Sequence, residues 1–199
     1  KLEVTQGRFD AILQNLHEHN AQNRGIYFVI NQGGHEDADI KRINAQFMEC
    51  DNLSLEEQLE RIQAFPLEPS LIVKTRKSLH CYWLMKKATV ERFRYVQRQL
   101  IAHFNADPSC VNESRVFRIP GFNHCKEEPI LVECIKYNPE LRYTQQELSE
   151  VLPEIPEEPA SPAKKSSTIS GRGTQKGLVV VGRRCQFLQH CKRNAKTLS

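Results

Sequence analysis

The chain has no acidic residue after Glu158, although nine Lys and Arg follow it. Of its 28 basic residues, 19 share the first 158 positions with all 24 acidic ones, so the net charge of +4 hides an acidic body and a basic tail. Such a tail points to nucleic acid or another polyanion, or else to a solvated linker. Long apolar runs are missing too. Nothing approaches the roughly 20 apolar residues that span a bilayer, so no membrane partner is expected. Lys1 to Asp10 is polar and lacks the apolar centre of a signal peptide. The seven Cys are odd in number and scattered, which argues against a disulfide framework and for a reducing cytoplasm. What is present, 39% apolar and 26% charged residues over 199 positions, fits a soluble globular protein of one domain with an appendage.

Residues 8–22 place Phe9, Ile12, Leu13 and Leu16 at helical spacing. His17 and His19 fall on this helix, where positions i and i+2 point apart, so they read as surface residues and not as a metal pair. Ile26–Asn31 reads as a strand. Ser54 with Glu57 three residues on is a capping box that opens a helix. Ser70–Lys74 and Leu79–Met85 read as strands joined by a tight turn, and residues 89–104 as the longest helix. Ile130–Tyr137 is apolar on both faces and reads as a central strand. Thr144 and Glu147 cap a short helix that ends at Pro153. Residues 153–177, with Pro, Ser, Lys and Gly, read as a linker. Residues 178–199 read as the start of a basic C-terminal helical segment, and the whole basic tail beyond Glu158 is expected to add salt-sensitive affinity for nucleic acid and not to be required for folding. The chain ends inside that helical pattern, as a fragment edge would. Cys185, His190 and Cys191 lie close together there, but their spacing fits no common zinc finger.

Three stretches carry chemistry. In Phe47-Met48-Glu49-Cys50-Asp51, strand alternation puts Glu49 and Asp51 on one face. Paired carboxylates repel unless a cation sits between them, and a hard divalent ion such as Mg²⁺ or Mn²⁺ suits oxygen ligands. Two exposed acids facing water are the alternative. In Lys77-Ser78-Leu79-His80-Cys81-Tyr82-Trp83, Ser78, His80 and Tyr82 share a face and suit phosphate oxygens, with Lys74, Arg76 and Lys77 adding charge at the same corner. Between Ser114 and Lys126, Arg115 and Arg118 bracket apolar residues, Pro120-Gly121 forces a turn, and Asn123 and Lys126 follow. By residue type this is a phosphate and sugar clamp, or a solvated loop.

Taken together, Glu49-x-Asp51, Ser78-x-His80 before an aromatic pair, an Asp about 27 residues on, and Arg118-x-Pro-Gly resemble the archaeo-eukaryotic primase superfamily. The closer likeness is to its RepB-like primase-polymerase branch of plasmids, phages and CRISPR loci, over roughly residues 9–152. Glu49 departs from the Asp that many members carry. The resemblance implies an α+β fold: a recognition-motif-like βαβ sheet packed on an N-terminal α/β module, with the active site between them. It implies a catalytic domain over 1–152, followed by the linker and the C-terminal segment. It implies two Mg²⁺ or Mn²⁺ ions held by Glu49, Asp51 and Asp107. Nucleotide binding would fall to Ser78, His80, Lys77, Arg76, Arg118, Asn123 and Lys126. The implied activity is a DNA primase-polymerase acting with single-stranded template, primer and NTP or dNTP, cytoplasmic and encoded by a prokaryote or mobile element. A helicase or other replication domain would lie C-terminal to it.

For the third acid, Asp107 is preferred to Glu113. Asp107 follows the long helix directly and is stiffened by Pro108, whereas Glu113 beside Arg115 reads as a surface ion pair. Two other functions are weighed. A non-catalytic nucleic-acid-binding module of a replication initiator would keep the clamp but has no use for acids where phosphate must approach. A rolling-circle nuclease needs His-x-His on a strand, and His17 and His19 read as helical.

Overall fold

The computed structural model describes residues 2–6, 8–156, 177–182 and 184–196. The chain begins with β1 (Leu2–Gln6), α1 (Phe9–Ala21), β2 (Gly25–Val29) and β3 (Ala45–Cys50). Next come α2 (Leu55–Ala64), β4 (Leu71–Lys74), β5 (Leu79–Met85) and α3 (Phe93–Phe104). Short strands β6 (Val116–Arg118), β7 (Asn123–His124) and β8 (Ile130–Leu131) lead to β9 (Glu133–Tyr137) and β10 (Arg142–Tyr143). The described elements close with α4 (Gln145–Val151), β11 (Gly177–Val181) and α5 (Arg184–Arg193). The fold is mixed α+β. No helix among the described residues is long and apolar enough to cross a membrane.

β5 is the axis of a five-stranded sheet. β3 runs antiparallel along one side of it, β4 antiparallel along the other with β9 beyond, and short β10 continues beside its end. Every residue of β5 is buried, as a strand covered on both faces requires. Alternation divides its neighbours. Trp83 packs on Phe65 and Phe104 toward α2 and α3, while His80 and Tyr82 pack on Phe117 of β6. α3 is bound to β3 by polar contacts as well as by its apolar stripe. Gln46 Nε2 donates to the Phe93 carbonyl (3.0 Å), and Gln97 Nε2 donates to the Phe47 carbonyl. The capping boxes at Ser54–Glu57 and Thr144–Glu147 both form, satisfying helix-end N–H groups that would otherwise lack partners.

A second sheet runs in the order β1-β11-β2-β6. The expectation of a separate C-terminal segment is corrected here. β11 lies between β1 and β2, parallel to both, with Val179 opposite Val4 and Tyr27. Its Leu-Val-Val-Val run is what a strand enclosed by two parallel neighbours requires. α5 then wedges between the sheets. Phe187 stacks on Phe28 of β2 (4.7 Å between ring centroids) and meets Tyr82 of β5 edge-on (6.2 Å). The described structure therefore has no boundary at residue 152 that separates a complete fold from an appendage. Most of the linker read over 153–177 falls on residues 157–176, which lie outside the described residues.

Two further expectations change. Ile130–Tyr137 is not one central strand: β8 pairs only with β7, and β9 forms the outer edge of its sheet against β4. Ile130 and Leu131 are exposed, and an apolar run alone does not separate edge from centre. The stretch after α3, read as loop, contains β6. It pairs antiparallel with β2 and brings Phe117 onto Phe47, His80 and Tyr82. That contact joins the two sheets and creates the cleft described next.

Candidate active site

Glu49 and His80 are cross-strand partners in the β3–β5 ladder. Directly opposed residues hold their Cβ atoms about 4.5–5.5 Å apart, so their side chains meet. His80 Nε2 lies 3.3 Å from Glu49 Oε1, and the Ser78 hydroxyl donates to the same oxygen at 3.2 Å. Burial pushes the Glu49 carboxyl up. The facing His80, Arg115 nearby and the Ser78 bond outweigh it and hold the group down at about 2. Glu49 is therefore a carboxylate at any physiological pH. His80 is 3% exposed, and its Nδ1 is buried with no hydrogen-bond partner.

Asp107 reaches the same place from α3. Asn105 ends that helix in the left-handed conformation (φ 51°), and the Asp107 N–H then donates to the Glu49 carbonyl at 2.9 Å. The backbone is thus pinned to β3 at Asp107 itself. The Asp107 carboxylate caps the next turn, accepting from Ser109 N–H (2.8 Å), from the Ser109 hydroxyl (2.5 Å) and from Arg115 (3.2 Å). Ligand atoms of Glu49, Asp107 and Cys110 all lie within 4.8 Å of one another, the one such group among the described residues. Two hard carboxylates this close fit a divalent cation such as Mg²⁺ or Mn²⁺. Cys110 offers a soft donor. Burial pushes its thiol up to about 12, so at neutral pH it stands as a neutral thiol.

Asp51 stands differently from the expectation. β3 ends at Cys50, the last residue paired with β5, so the alternation that would align Asp51 with Glu49 is no longer enforced. Asp51 is exposed and lies outside the three-residue group. Glu113 is no surface partner of Arg115. It is 6% exposed and takes a two-pronged ion pair from Arg94 of α3 (2.8 and 2.7 Å). Arg115 is spent instead on Asp107, where it balances the acidic group.

The basic side of the cleft comes from three segments. Arg118 of β6 lies over the ring of Tyr27, its cross-strand partner, at 4.9 Å. Arg76, in the β4–β5 turn, donates to the Glu128 carbonyl and pairs with Glu127 (3.6 Å), while its Nε is buried without a partner. Lys77 and Lys126 are exposed. Asn123 is held by its backbone: its N–H donates to Asn20 Oδ1 (2.7 Å) and its carbonyl accepts from Asn20 Nδ2 (3.0 Å), leaving its side chain exposed.

The residue that sequence reasoning passed over is His124. Both its ring nitrogens are buried without partners. Burial first, then Arg118, Arg76, His80 and Lys126, push it down to about 4. That list of neighbours places it among the cations of all three segments. Its only signal in the sequence is its position three residues past the Pro-Gly turn. Of the C-terminal trio, His190 and Cys191 are already occupied, by the Pro120 carbonyl and by Cys134.

The cleft thus sets an acidic pair beside a cluster of cations with unpartnered buried nitrogens, between two sheets. A family model, the RepB DNA-primase N-terminal domain, matches residues 36–155. No curated protein matches the chain. Among solved structures, the archaeo-eukaryotic primase domain of the cyanophage S-2L primase-polymerase is 32% identical, with a TM-score of 0.58 over 63% of this chain and 68% of that one. The catalytic domain of primase RepB′ in complex with initiator DNA is 20% identical, with a TM-score of 0.53 over 70% of each chain. A second structure of primase RepB′ is 21% identical, with a TM-score of 0.52; this chain spans about half of it (48%). The two RepB′ likenesses are likenesses of fold. The family match covers well over half of the chain and takes in β3, β5, Asp107 and the Arg118–Lys126 segment, so the chain belongs to the RepB DNA-primase N-terminal domain family.

Proposed function

We propose that the chain is a DNA primase-polymerase domain that adds nucleotides to a primer 3′-hydroxyl, or starts primers, on a single-stranded DNA template. The observation that carries this is the pairing of Glu49 with Asp107 beside the partnerless nitrogens of Arg76, His80 and His124. Buried polar atoms without partners are costly, about 1–3 kcal/mol each, and are expected where a ligand completes them. A nucleoside triphosphate supplies what the cleft lacks: oxygens for the cations and a polyanion for the acids to meet through divalent ions. The 32% identical phage primase-polymerase supports the reaction class, and the RepB′ complex with initiator DNA supports DNA as partner.

In this reading Glu49 and Asp107 hold Mg²⁺ or Mn²⁺, with Asp51 at the open end of β3 as the further acid. Bound divalent ions supply the charge that stabilises the attacking and leaving oxygens of an in-line displacement. Arg115 holds Asp107 in place and offsets the acidic pair. His80 faces Glu49 through Nε2, which leaves its partnerless Nδ1 for the nucleotide. Ser78 keeps Glu49 turned toward His80. Arg76, Arg118, His124 and Lys126, with Lys77 at the rim, balance the triphosphate, and Asn123 presents its amide to the nucleotide. No nucleophilic side chain is required, since the primer hydroxyl attacks. The test is incubation with single-stranded template, labelled nucleotides and Mg²⁺ or Mn²⁺, with and without primer. Template-dependent elongation supports the reading. Nucleic-acid binding without incorporation under either ion would leave only a binding module.

A further inference from the structure

We infer that His190, on the C-terminal helix, is a positioning residue for the segment that carries Arg118, Asn123 and His124. The inference rests on the nucleotide-binding reading of that segment, and it concerns a residue 70 positions away from it. The segment leaves the β2–β6 ladder at Ile119, whose N–H donates to the Ile26 carbonyl (3.2 Å). It then turns at Gly121, which has φ +85°, a region that favours glycine. Gly121 N–H donates to the Val132 carbonyl (2.8 Å), and Val132 N–H donates to the Phe122 carbonyl (2.9 Å). Pro120, between these ladders, is buried and belongs to neither. Without another partner its carbonyl would be an orphan, in the turn that aims Arg118 on one side and His124 on the other.

His190 provides the partner. Its Nε2 lies 2.7 Å from the Pro120 oxygen, and since a carbonyl only accepts, Nε2 carries the proton and donates. Burial lowers the pKa of the ring, which suits a neutral imidazole with that single N–H. The ring is 5% exposed, lying 4.6 Å from Phe9 and stacked on Phe122 at 5.7 Å. One helical turn on, Asn194 donates to the His190 carbonyl (2.9 Å) and closes over Gly121. A Cβ at Gly121 would stand 2.5 Å from Asn194 Oδ1. α5 and the residue that follows it therefore grip both residues of the turn, one through a hydrogen bond and one through close packing. The helix is itself anchored on Phe28 and Tyr82 of the two sheets.

A ring that only fills space is replaced by Phe, which keeps the packing between Phe9 and Phe122 and leaves the Pro120 carbonyl without a donor. Gln restores an amide N–H donor without the ring. The full chain and its His190→Phe, His190→Gln and Asn194→Ala variants are compared in two measurements. The first is amide hydrogen exchange over residues 118–125, with β3 and β5 as internal reference. The second is affinity for dATP, together with KM and kcat in primer extension. The expected result for His190→Phe is faster exchange confined to 118–125, roughly tenfold weaker dATP binding carried in KM, and kcat within about twofold. His190→Gln recovers most of both effects, and Asn194→Ala repeats them to a smaller extent. Should His190→Phe not fold, the Gln and Asn194→Ala variants decide. Exchange and affinity equal to wild type in His190→Phe, or in Asn194→Ala where that variant decides, overturn the inference. If wild type binds no dATP, the nucleotide reading fails on its own, and the exchange measurement still decides whether His190 holds the turn.

Discussion

His80 faces Glu49 across the β3–β5 ladder with 3.3 Å between ring nitrogen and carboxylate oxygen, and Phe117 of the second sheet packs on its ring. The His80–Glu49 contact joins the acidic side of the site to its basic side. Glu49 shares the candidate ion-binding group with Asp107 and Cys110, while the other ring nitrogen of His80, Nδ1, is buried without a hydrogen-bond partner.

The contact has a consequence for stability. The Glu49 carboxyl is held down at about 2, against 4.5 for an unperturbed Glu. A depressed folded-state pKa gives stability that is fully present above 4.5 and lost as pH falls from 4.5 toward 2. Urea unfolding of the metal-free chain between pH 6 and 2.5 should therefore show a slope that Glu49→Gln flattens, by roughly 1–3 kcal/mol over the range. Parallel curves for the two proteins would mean that the carboxylate gains nothing from His80.

His124 is held down at about 4 by burial and by the cations around it, so it is neutral in the free protein at pH 7. A bound polyanion reverses the sign of its surroundings and raises its pKa. Nucleotide binding should then take up protons. Affinity at His124 gains as pH falls from 8 to 6, whereas protonation of the triphosphate itself acts in the opposite direction. The difference isolates the residue: relative to His124→Gln, wild type should gain dATP affinity as pH is lowered. The ratio of the two dissociation constants, measured calorimetrically at pH 8 and 6, checks this, and a constant ratio would rule it out.

The C-terminal segment is predicted to be part of the folding unit. β11 is the shared parallel partner of β1 and β2, and Phe187, Leu188 and Cys191 of α5 are buried. Removing residues 177–199 takes away a strand that β1 and β2 enclose, and exposes Phe28 and Tyr82. The shortened chain should lose cooperative thermal unfolding or melt far below the full chain. An unchanged melting temperature would show that β1, β2 and β6 fold without it.

Much of this was legible locally. The 3.6-residue period of Phe9, Ile12, Leu13 and Leu16 marks α1, and four residues suffice to read the boxes at Ser54–Glu57 and Thr144–Glu147. Glu49, Ser78 and His80 could be set on strand faces because the alternation holds through β3 and β5. It is not enforced at Asp51, because pairing stops one residue earlier. β1 and β11 were missed for a different reason. Val4 and Val179 are neighbours through a parallel pairing that leaves no turn between them to recognise, and strands of five residues are too short to reveal a period. The edge position of β9 depends on what α5 and β4 cover. His124 is informative only through its surroundings, which three separated segments build.

The central claim is that Glu49 and Asp107 hold the ions for nucleotidyl transfer. It is tested most directly by single-turnover addition of one labelled dNTP to a primer annealed to template, with Mg²⁺ or Mn²⁺, using wild type and Asp107→Asn. The substitution keeps the volume and the oxygen that caps Ser109 N–H, but removes the charge and the second acceptor oxygen. The account predicts a rate lower by on the order of 100-fold or more, with primer–template affinity retained. A folded Asp107→Asn protein that incorporates the nucleotide at the wild-type rate would contradict it.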